Sequence, residues 1–455
     1  MSASDTRSRA PGAAVPDDPA VALLSGVIRW LEEHLAWFDP DQWERMLPRR
    51  PFRPGPLLEL LGLLRLLDRA APARVRVPAA LREGALALAE RVVDDPGFAT
   101  RLRRADPYFP YHLNLVALLG ILGRPRPALR EECLALLAVG AGGHTRPHKP
   151  VLNRLEMRFF LDRAGIAAPP GLPDTATLYG QSLPALGPDP LFLDDSETYA
   201  FTHALFYATD FGARPLPAGE PDPGLLLETV LLLLDVDLTR GHLDLVAELL
   251  LCADLLCPAG PRDGDGPDGD PVTRGWDTLA RAQRPDGAVP GPVHRPERLP
   301  GLTGEKADAY LFGTCYHTTL AAGLAAAVRL NSRSGAGRVA RRPEPARATP
   351  PHTAPFATTS PDAAPDADEI RRWSATVRAA AARATDQERT AWSTAGQALL
   401  VVCAQRHDRP GLAAVLGALR ALGRDGTPLA RSAAALLAAG WCASATDGSG
   451  PAPHD

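Results

Sequence analysis

The residues that could do chemistry are concentrated in one segment, Asp194 to Gly212. Read as a helix, the segment places four side chains on one face: Tyr199, His203, Phe206 and Asp210. An apolar stripe on the opposite face indicates a helix buried on both sides, where a histidine and an aspartate are costly without partners. Tyr199, His203 and Asp210 are therefore candidate catalytic residues. The alternative is a core histidine that is hydrogen-bonded to a neighbour, with Asp210 near the helix end.

A second candidate segment surrounds His317, in the sequence GTCYHTT at 313–319. A cysteine two residues before a histidine can ligate zinc or form a reactive pair, although histidine and threonine also occur near helix starts for structural reasons. If the fold brings His317 to His203 and Asp210, the three side chains become candidate ligands of a two-histidine, one-carboxylate metal site. A divalent metal ion, acting as a Lewis acid or activating oxygen or water, is then the candidate cofactor. Without a metal, His203 is a candidate general base oriented by a carboxylate.

Acidic residues form a third candidate group: Asp235, Asp237, Asp244 and Glu248. Asp244 and Glu248 are four residues apart, so a helix places them on one face. Most acid pairs at this spacing belong to a solvated helix face. The functional interpretation is a pair of carboxylates for acid–base chemistry.

The elements that must position these residues are helices. Amphipathic segments of roughly 11–18 residues, separated by breaks rich in proline and glycine, recur through most of the chain. Two such segments and a turn occupy about 40 residues, which is the period of helical-hairpin arrays. Strand signals are almost absent from the sequence. The sequence therefore predicts an all-α fold, built as a helical-hairpin array or an α/α barrel.

Composition divides the chain into five parts. A main helical domain is predicted over 18–331 and a small C-terminal helical module over 367–442. Polar or proline-rich segments at 1–17, 332–366 and 443–455 are predicted to be disordered. Within the main domain, the stretch from Pro169 to Pro190 is predicted to be irregular and is a candidate lid or wrapping loop. The Asp/Gly-rich insertion at Pro258–Pro271 is predicted to be a surface loop.

Composition also argues against several classes of function. The 455 residues carry a formal net charge of −4, so no basic field favours nucleic acid or an anionic membrane. Six scattered cysteines without a CxxC pair do not indicate a disulfide scaffold. The sequence shows no signal peptide and no run of about 18 uncharged apolar residues. We therefore expect a cytoplasmic protein that acts on a small molecule or peptide, without nucleic-acid or membrane partners.

Five segments together resemble a family of uncharacterised actinobacterial proteins: RLEMRFFLD (154–162), TYAFTH (198–203), FYATDFG (206–212), DLVAELL (244–250) and YHTTL (316–320). The resemblance covers about residues 20–330, and the motif FTHxxFYxTDFG is its most specific part. It implies a domain of unknown function that is often linked to specialised metabolism, without an assigned activity or catalytic residue. In addition, QRPDG at 283–287 resembles one degenerate copy of the turn repeated in terpene-cyclase-type α/α barrels, with a plain turn as the alternative.

Three functions are compatible with these residues. The leading hypothesis is an enzyme of specialised metabolism with a His/Asp site in a central cavity. The enzyme depends on a metal if the two-histidine, one-carboxylate set forms. The second is a non-enzymatic helical-repeat protein that binds a peptide or protein partner on a concave surface. The third is a terpene-cyclase-like acid catalyst, to whose acid motif Asp235 and Asp237 are a partial match. Aromatic residues, at 6%, are few for a pocket that stabilises cations.

Overall fold

The computed structural model describes residues 18–69, 75–104, 107–146, 148–219, 221–257, 270–336 and 365–439. Every regular element within these ranges is a helix, which confirms the predicted all-α class. The segments predicted to be disordered, 1–17 and 443–455, lie outside the described residues, as do most of the predicted linker 332–366 and residues 258–269 of the insertion.

The main domain contains fifteen α-helices within the described ranges. The first eight are α1 (Pro19–Glu33), α2 (Pro40–Met46), α3 (Gly55–Leu67), α4 (Ala79–Asp94), α5 (Pro96–Arg103), α6 (Phe109–Ile121), α7 (Pro127–Ala138) and α8 (Val151–Ala164). The next seven are α9 (Thr175–Tyr179), α10 (Leu183–Leu186), α11 (Asp195–Thr209), α12 (Pro223–Arg240), α13 (Leu243–Leu256), α14 (Pro271–Ala282) and α15 (Glu305–Ala336). The C-terminal module adds α16 (Ala367–Ala380), α17 (Asp386–Gln405), α18 (Arg409–Ala421) and α19 (Pro428–Ala438). Short 3-10 helices lie at Leu35–Phe38, Ala141–Gly143, Pro190–Phe192, Pro296–Gly301 and Ala381–Arg383.

Six helices form a closed ring: α3, α6, α8, α11, α13 and α15. Each packs against the next in this order, and α15 returns to α3. Other helices of the main domain pack on the outside of the ring, with α4 against α3 and α6, α12 against α13, and α1 against α15. An inner ring surrounded by outer helices is an α/α barrel, one of the two architectures predicted from the sequence.

The ring helix α13 is the most deeply placed of these elements. Its residues from Leu243 to Asp254 are all buried, so the helix is enclosed on every side. Asp244 and Glu248 are 2% and 5% exposed. The interpretation of these two acids as part of a solvated helix face is therefore wrong. Both carboxyl groups lie in the interior.

The ring helix α11 is fixed at both ends by its own sequence. At its start, Asp194 and Glu197 form a capping box, each side chain accepting a hydrogen bond from the backbone N–H of the other. At its end, Asp210 adopts a left-handed conformation with φ of 50°, which stops the helix. These two signals set the positions of Tyr199 and His203 between them.

The QRPDG segment joins the outer helices α1 and α14. The Gln283 side-chain amide donates hydrogen bonds to the backbone carbonyls of Leu23 and Gly287, both at 2.9 Å. Gly287 has φ of +101°, and a Cβ atom at this position would lie 2.1 Å from the carbonyl oxygen of Gly26. The segment is thus a structural turn that holds α1 against the end of α14.

The C-terminal module packs on the outside of the barrel. Its helix α17 contacts α12 and the 3-10 helix at Pro190–Phe192. Leu191 and Val236, from the main domain, belong to the same apolar core as the residues of the module. The Gln405 side-chain amide also donates a hydrogen bond to the Leu193 carbonyl at 2.6 Å. The module therefore adds a second core that is continuous with the main domain.

Two further features of the fold bear on the sequence predictions. The stretch from Pro169 to Pro190, predicted to be irregular, contains α9 and α10, which pack against α8 and α11. Asp174 begins α9 by accepting a hydrogen bond from the Thr177 backbone N–H, which is a local helix-start signal. Among the described residues, one helical stretch, Glu305–Ser332, is long and apolar enough to cross a membrane, and 72% of its most apolar window is buried within the protein.

Candidate functional site

The two candidate histidines face neighbouring carboxylates on α13. His203, on α11, lies with Nδ1 3.4 Å from Glu248 Oε2. His317, on α15, lies with Nε2 3.4 Å from Asp244 Oδ2. Asp244 and Glu248 are one helical turn apart, so the fold brings both histidines to a single pair of acids. The Thr202 hydroxyl also donates a hydrogen bond to Glu248.

Asp210 lies in a different environment, among three arginines. Its Oδ1 contacts Arg65 and lies 3.1 Å from Arg69 Nη1, and its Oδ2 lies 3.1 Å from Arg163 Nη1. Arg65 and Arg69 come from α3 and its C-terminal end, and Arg163 comes from α8. Asp210 therefore joins the end of α11 to the adjacent ring helix α8 and to the C-terminal end of α3, a structural role.

The predicted ligand set of His203, Asp210 and His317 does not form. Asp210 follows His203 by seven residues on one helix, which separates them by about 10 Å along the axis. A shared helix face therefore does not imply a shared site here, and the Asp210 carboxylate is already engaged by guanidinium groups. Within the part of the chain that the structure describes, no three His, Cys, Asp or Glu side chains are grouped as metal ligands would be.

Cys315 is also separate from His317. Its sulfur lies 3.8 Å from His294 Nδ1, and burial raises the pKa of the thiol. Residues two apart on a helix do not face each other, and α15 begins at Glu305, so the segment is in mid-helix rather than near a helix start. The predicted Cys-x-His pair does not form for this reason.

His317 lies between two carboxylates. Its Nδ1 is 2.8 Å from Glu59 Oε2, opposite the contact of Nε2 with Asp244. Burial opposes the charged ring, but the charge and hydrogen bond of Glu59, together with Asp244 and Glu248, raise the pKa of His317 to about 10. The side chain is 45% exposed, which places this imidazolium at the boundary between the interior and solvent.

Asp244 has one oxygen engaged and one without a partner. The Tyr199 hydroxyl donates a hydrogen bond to Oδ2, the same oxygen that faces His317. Burial and the charge of Asp244 raise the pKa of Tyr199, so the hydroxyl keeps its proton and acts as a donor. Oδ1 is buried and has no hydrogen-bond partner among the described residues. A buried carboxyl oxygen without a partner is costly, and the cost is greatest for the ionised form of the group.

The two acids on α13 have pKa values that are shifted in opposite directions. Burial raises the pKa of Asp244 more than the charge of His317 lowers it, and the nearby Glu248 raises it further. Burial acts on Glu248 in the same sense, but the charge and hydrogen bond of His203 outweigh it and lower the pKa. Neighbouring carboxyl groups with separated pKa values are the arrangement that assigns one as an acid and the other as a permanent carboxylate.

Asp244 and His317 line an open cleft with a volume of about 380 Å³. Glu59 and Arg50 line it beside them, and the loop 291–293 and Tyr316 supply apolar surface. The volume lies within the range of about 300–1,000 Å³ that is typical of small-molecule sites. No residue of the predicted lid, 169–190, is among those that line the cleft.

Glu156, on α8, extends the polar interior. Its carboxylate accepts a hydrogen bond from the Asn114 side-chain amide at 3.1 Å. Burial raises its pKa to about 7, against the charge of His203 and the hydrogen bonds of Tyr207 and Asn114, which lower it. All six ring helices thus supply side chains to one polar centre: Glu59, Asn114, Glu156, Tyr199, His203, Asp244, Glu248 and His317.

The remaining acids of the sequence analysis form ion pairs with arginines. Asp235 pairs with Arg274, which joins α12 to α14. Asp237 lies 3.4 Å from Arg240, and burial raises its pKa to about 8. Neither residue lines the cleft, so the partial acid motif that these two residues provide is not part of the candidate site.

Sequence reasoning did not single out Glu59, Glu156 or Arg50. Glu59 carried a signal, because it is the only acid in the leucine-rich segment GPLLELLGLLRLL that forms α3. Glu156 lies in a helix that carries several other charged residues, which conceal it. Arg50 lies in a loop between two helices, and only the tertiary fold brings it to the cleft.

Comparison with protein families gives one match that covers most of the chain. A family described as a domain of unknown function, DUF6895, matches residues 24–327, which run from α1 into α15 and include the whole ring up to that point. The chain belongs to this family. It matches no curated protein and no solved structure.

Proposed function

For this member of the DUF6895 family, we propose an enzymatic function: acid–base chemistry on a small organic molecule that binds in the His317 cleft. The observation that carries the proposal is Asp244, a buried carboxyl group with a raised pKa that lines the cleft and has one oxygen without a partner. Proton-transfer groups of enzymes are tuned in this way by burial and by neighbouring charges.

The proposed step is transfer of a proton between the Asp244 carboxyl group, which lines the cleft, and the substrate. In the forward direction, protonated Asp244 donates its proton to a basic atom of the substrate and becomes a carboxylate. The Tyr199 hydroxyl and the His317 imidazolium then stabilise the new negative charge through Oδ2. Return of a proton from the substrate or from water restores the acid.

Glu248 and His203 have a supporting role in this proposal. Glu248 remains ionised because His203 and Thr202 hold it, and its negative charge raises the pKa of Asp244 one turn away. His203 is thus a positioning residue, which neutralises Glu248 without contacting the reacting atoms. This assignment differs from the general base that the sequence suggested.

A closed barrel favours this function over partner binding. Helical-repeat proteins bind peptides on an extended concave surface, whereas here α15 packs back against α3 and closes the ring. The polar groups face a cleft of small-molecule size. The link with specialised metabolism that the sequence implies stays a prediction about the substrate.

The experiment is a deuterium-exchange screen with the small-molecule extract of the native host. The extract is incubated in D2O with the wild-type protein or with Asp244→Asn, and mass spectrometry follows deuterium incorporation and conversion. We expect at least one compound to change with the wild type, at a rate that falls by about 10²- to 10⁴-fold in Asp244→Asn.

The control for this experiment is Glu132→Gln, which removes one partner of an exposed ion pair with Arg103 far along the chain from the cleft residues. Its rate should match the wild type, and circular dichroism should show that both variants are folded. Wild-type rates in a folded Asp244→Asn variant would contradict the proposed function.

A further inference from the structure

We propose that Arg50 binds an anionic group of the substrate, so that the cleft takes an organic acid or phosphate ester with an apolar body. This inference deepens the proposed function and rests on the same cleft. It depends on Arg50 rather than on Asp244, so the two can be tested separately.

Aromatic rings hold the Arg50 guanidinium group in place. Its central carbon lies 4.2 Å from the centre of the Trp43 ring and 5.1 Å from the centre of the Tyr316 ring. The two rings themselves meet edge to face, with centres 5.5 Å apart. Stacking of this kind restricts the plane of the guanidinium group. One of its N–H groups meets the Tyr316 hydroxyl, and the other N–H groups are left for a planar oxyanion.

Arg50 has no ion-pair partner among the described residues, whereas its neighbours do. Arg53, three residues away, pairs with Asp41 at 2.6 Å and with Glu44 at 2.8 Å. Arg45 lies 3.6 Å from Glu305. Arg50 instead lines the cleft, where a positive charge without a carboxylate partner is available to a ligand.

The rest of the cleft fits the remaining parts of such a ligand. Pro292 and Val293 line it on the side of the loop, and Val293 is 65% exposed, which is unusual for a large apolar side chain. Asp244 lines the cleft as the proton-transfer group of the proposed function. The ligand therefore has an oxyanion for Arg50, an apolar body for Pro292 and Val293, and a basic atom or a donor for Asp244.

The test measures binding of three related probes by isothermal titration calorimetry: benzoate, phenyl phosphate and benzamide. Benzoate or phenyl phosphate should bind with a dissociation constant in the millimolar range or tighter. The tighter of the two identifies the anion as a carboxylate or a phosphate. Benzamide, which has the shape of benzoate without its charge, should bind at least about tenfold more weakly.

Variants assign the binding to Arg50. Arg50→Gln should weaken the anionic probe by about 10- to 100-fold, and Arg50→Lys should weaken it less, because lysine keeps the charge and loses the planar fork. Arg53→Gln is the matched control and should bind the probe as the wild type does. The proposal would be overturned if Arg50→Gln bound the tighter anion as the wild type does, if benzamide bound as tightly as that anion, or if neither anion bound in the millimolar range.

Asp244→Asn separates this proposal from the proposed function. It should bind the anionic probe within about threefold of the wild type, because the probe is held by Arg50 rather than by the acid. If Asp244→Asn retains turnover while Arg50→Gln loses the probe, the anion site stands and the acid–base function falls. If Asp244→Asn loses turnover while Arg50→Gln still binds the probe as the wild type does, only the anion site is overturned.

Discussion

Two buried aspartates show how surroundings decide the role of a residue. Asp210 meets Arg65, Arg69 and Arg163, so both of its oxygens are engaged and its charge is neutralised. Asp244 meets Tyr199 and His317 through one oxygen, and the other oxygen is free of partners among the described residues. The first is arranged to hold helices together, and for the second we propose proton exchange with a ligand.

Asp210→Asn should therefore cost stability without changing the cleft. Removing one partner of a buried ion pair leaves uncompensated charge, here on several arginines, and lowers the free energy of unfolding by about 3–5 kcal/mol. Chemical denaturation measures this change. The control is Asp41→Asn, whose partner Arg53 is partly exposed and whose loss should cost less than about 1 kcal/mol. A loss for Asp210→Asn no larger than that for the control would contradict the structural role.

His317 should make the stability of the protein depend on pH in a defined window. Burial lowers its pKa, but the charge and hydrogen bond of Glu59 outweigh burial and contribute most to the rise from 6.5 to about 10 on folding. The stabilisation from the charged ring is therefore complete below pH 6.5, declines as the pH rises, and is lost above about pH 10.

The measurement is the difference in unfolding free energy between the wild type and His317→Gln, taken at intervals from pH 6 to pH 10. We expect the difference to fall steadily across this range. Glu59→Gln should remove part of the same dependence, because Glu59 supplies much of the charge that raises the pKa. A difference that is constant with pH would show that His317 does not carry this charge.

At the scale of the elements, short sequence signals fix the helices that carry the site. The capping box at Asp194 and Glu197 begins α11, and the left-handed Asp210 ends it. The QRPDG turn holds α1 to α14 through Gln283 and Gly287. These contacts lie away from the cleft, yet they set the packing of helices that surround the ring.

Gly287→Ala should disrupt the contact between α1 and α14. A Cβ atom would meet the Gly26 carbonyl oxygen at 2.1 Å, and the backbone φ of +101° is unfavourable for alanine. Gly123→Ala is the matched control, since Gly123 has φ of +87° and open space around it. We expect about 1–2 kcal/mol of destabilisation from the control, by conformation alone, and a larger loss from Gly287→Ala. Thermal unfolding of both variants measures the difference, and equal losses would refute the close approach.

For the molecule as a whole, the sequence predicted the class of fold better than it predicted which residues meet at the candidate site. Helical periodicity predicted the all-α class, and the barrel was one of two architectures consistent with it. His203 and His317 were identified because polar residues in apolar helices are conspicuous. Asp210 was misplaced because its helix face is shared with His203 while the helix rise separates them. Glu59 and Arg50 join the site only through contacts between distant segments, which spacing along the chain does not encode.

Titration of Asp244 shows whether this carboxyl group carries the exchangeable proton on which the proposed function depends. The measurement is infrared spectroscopy on protein labelled with ¹³C at the aspartate carboxyl groups. The difference between the spectra of the wild type and Asp244→Asn isolates the signal of Asp244 from those of Asp235 and Asp237, whose pKa values are also raised. We expect the wild type to have one additional carboxylic acid signal, which persists above the usual aspartate pKa of about 3.9. Ionisation of Asp244 at or below that value would make it a permanent partner of His317 and would rule out its proposed role as an acid.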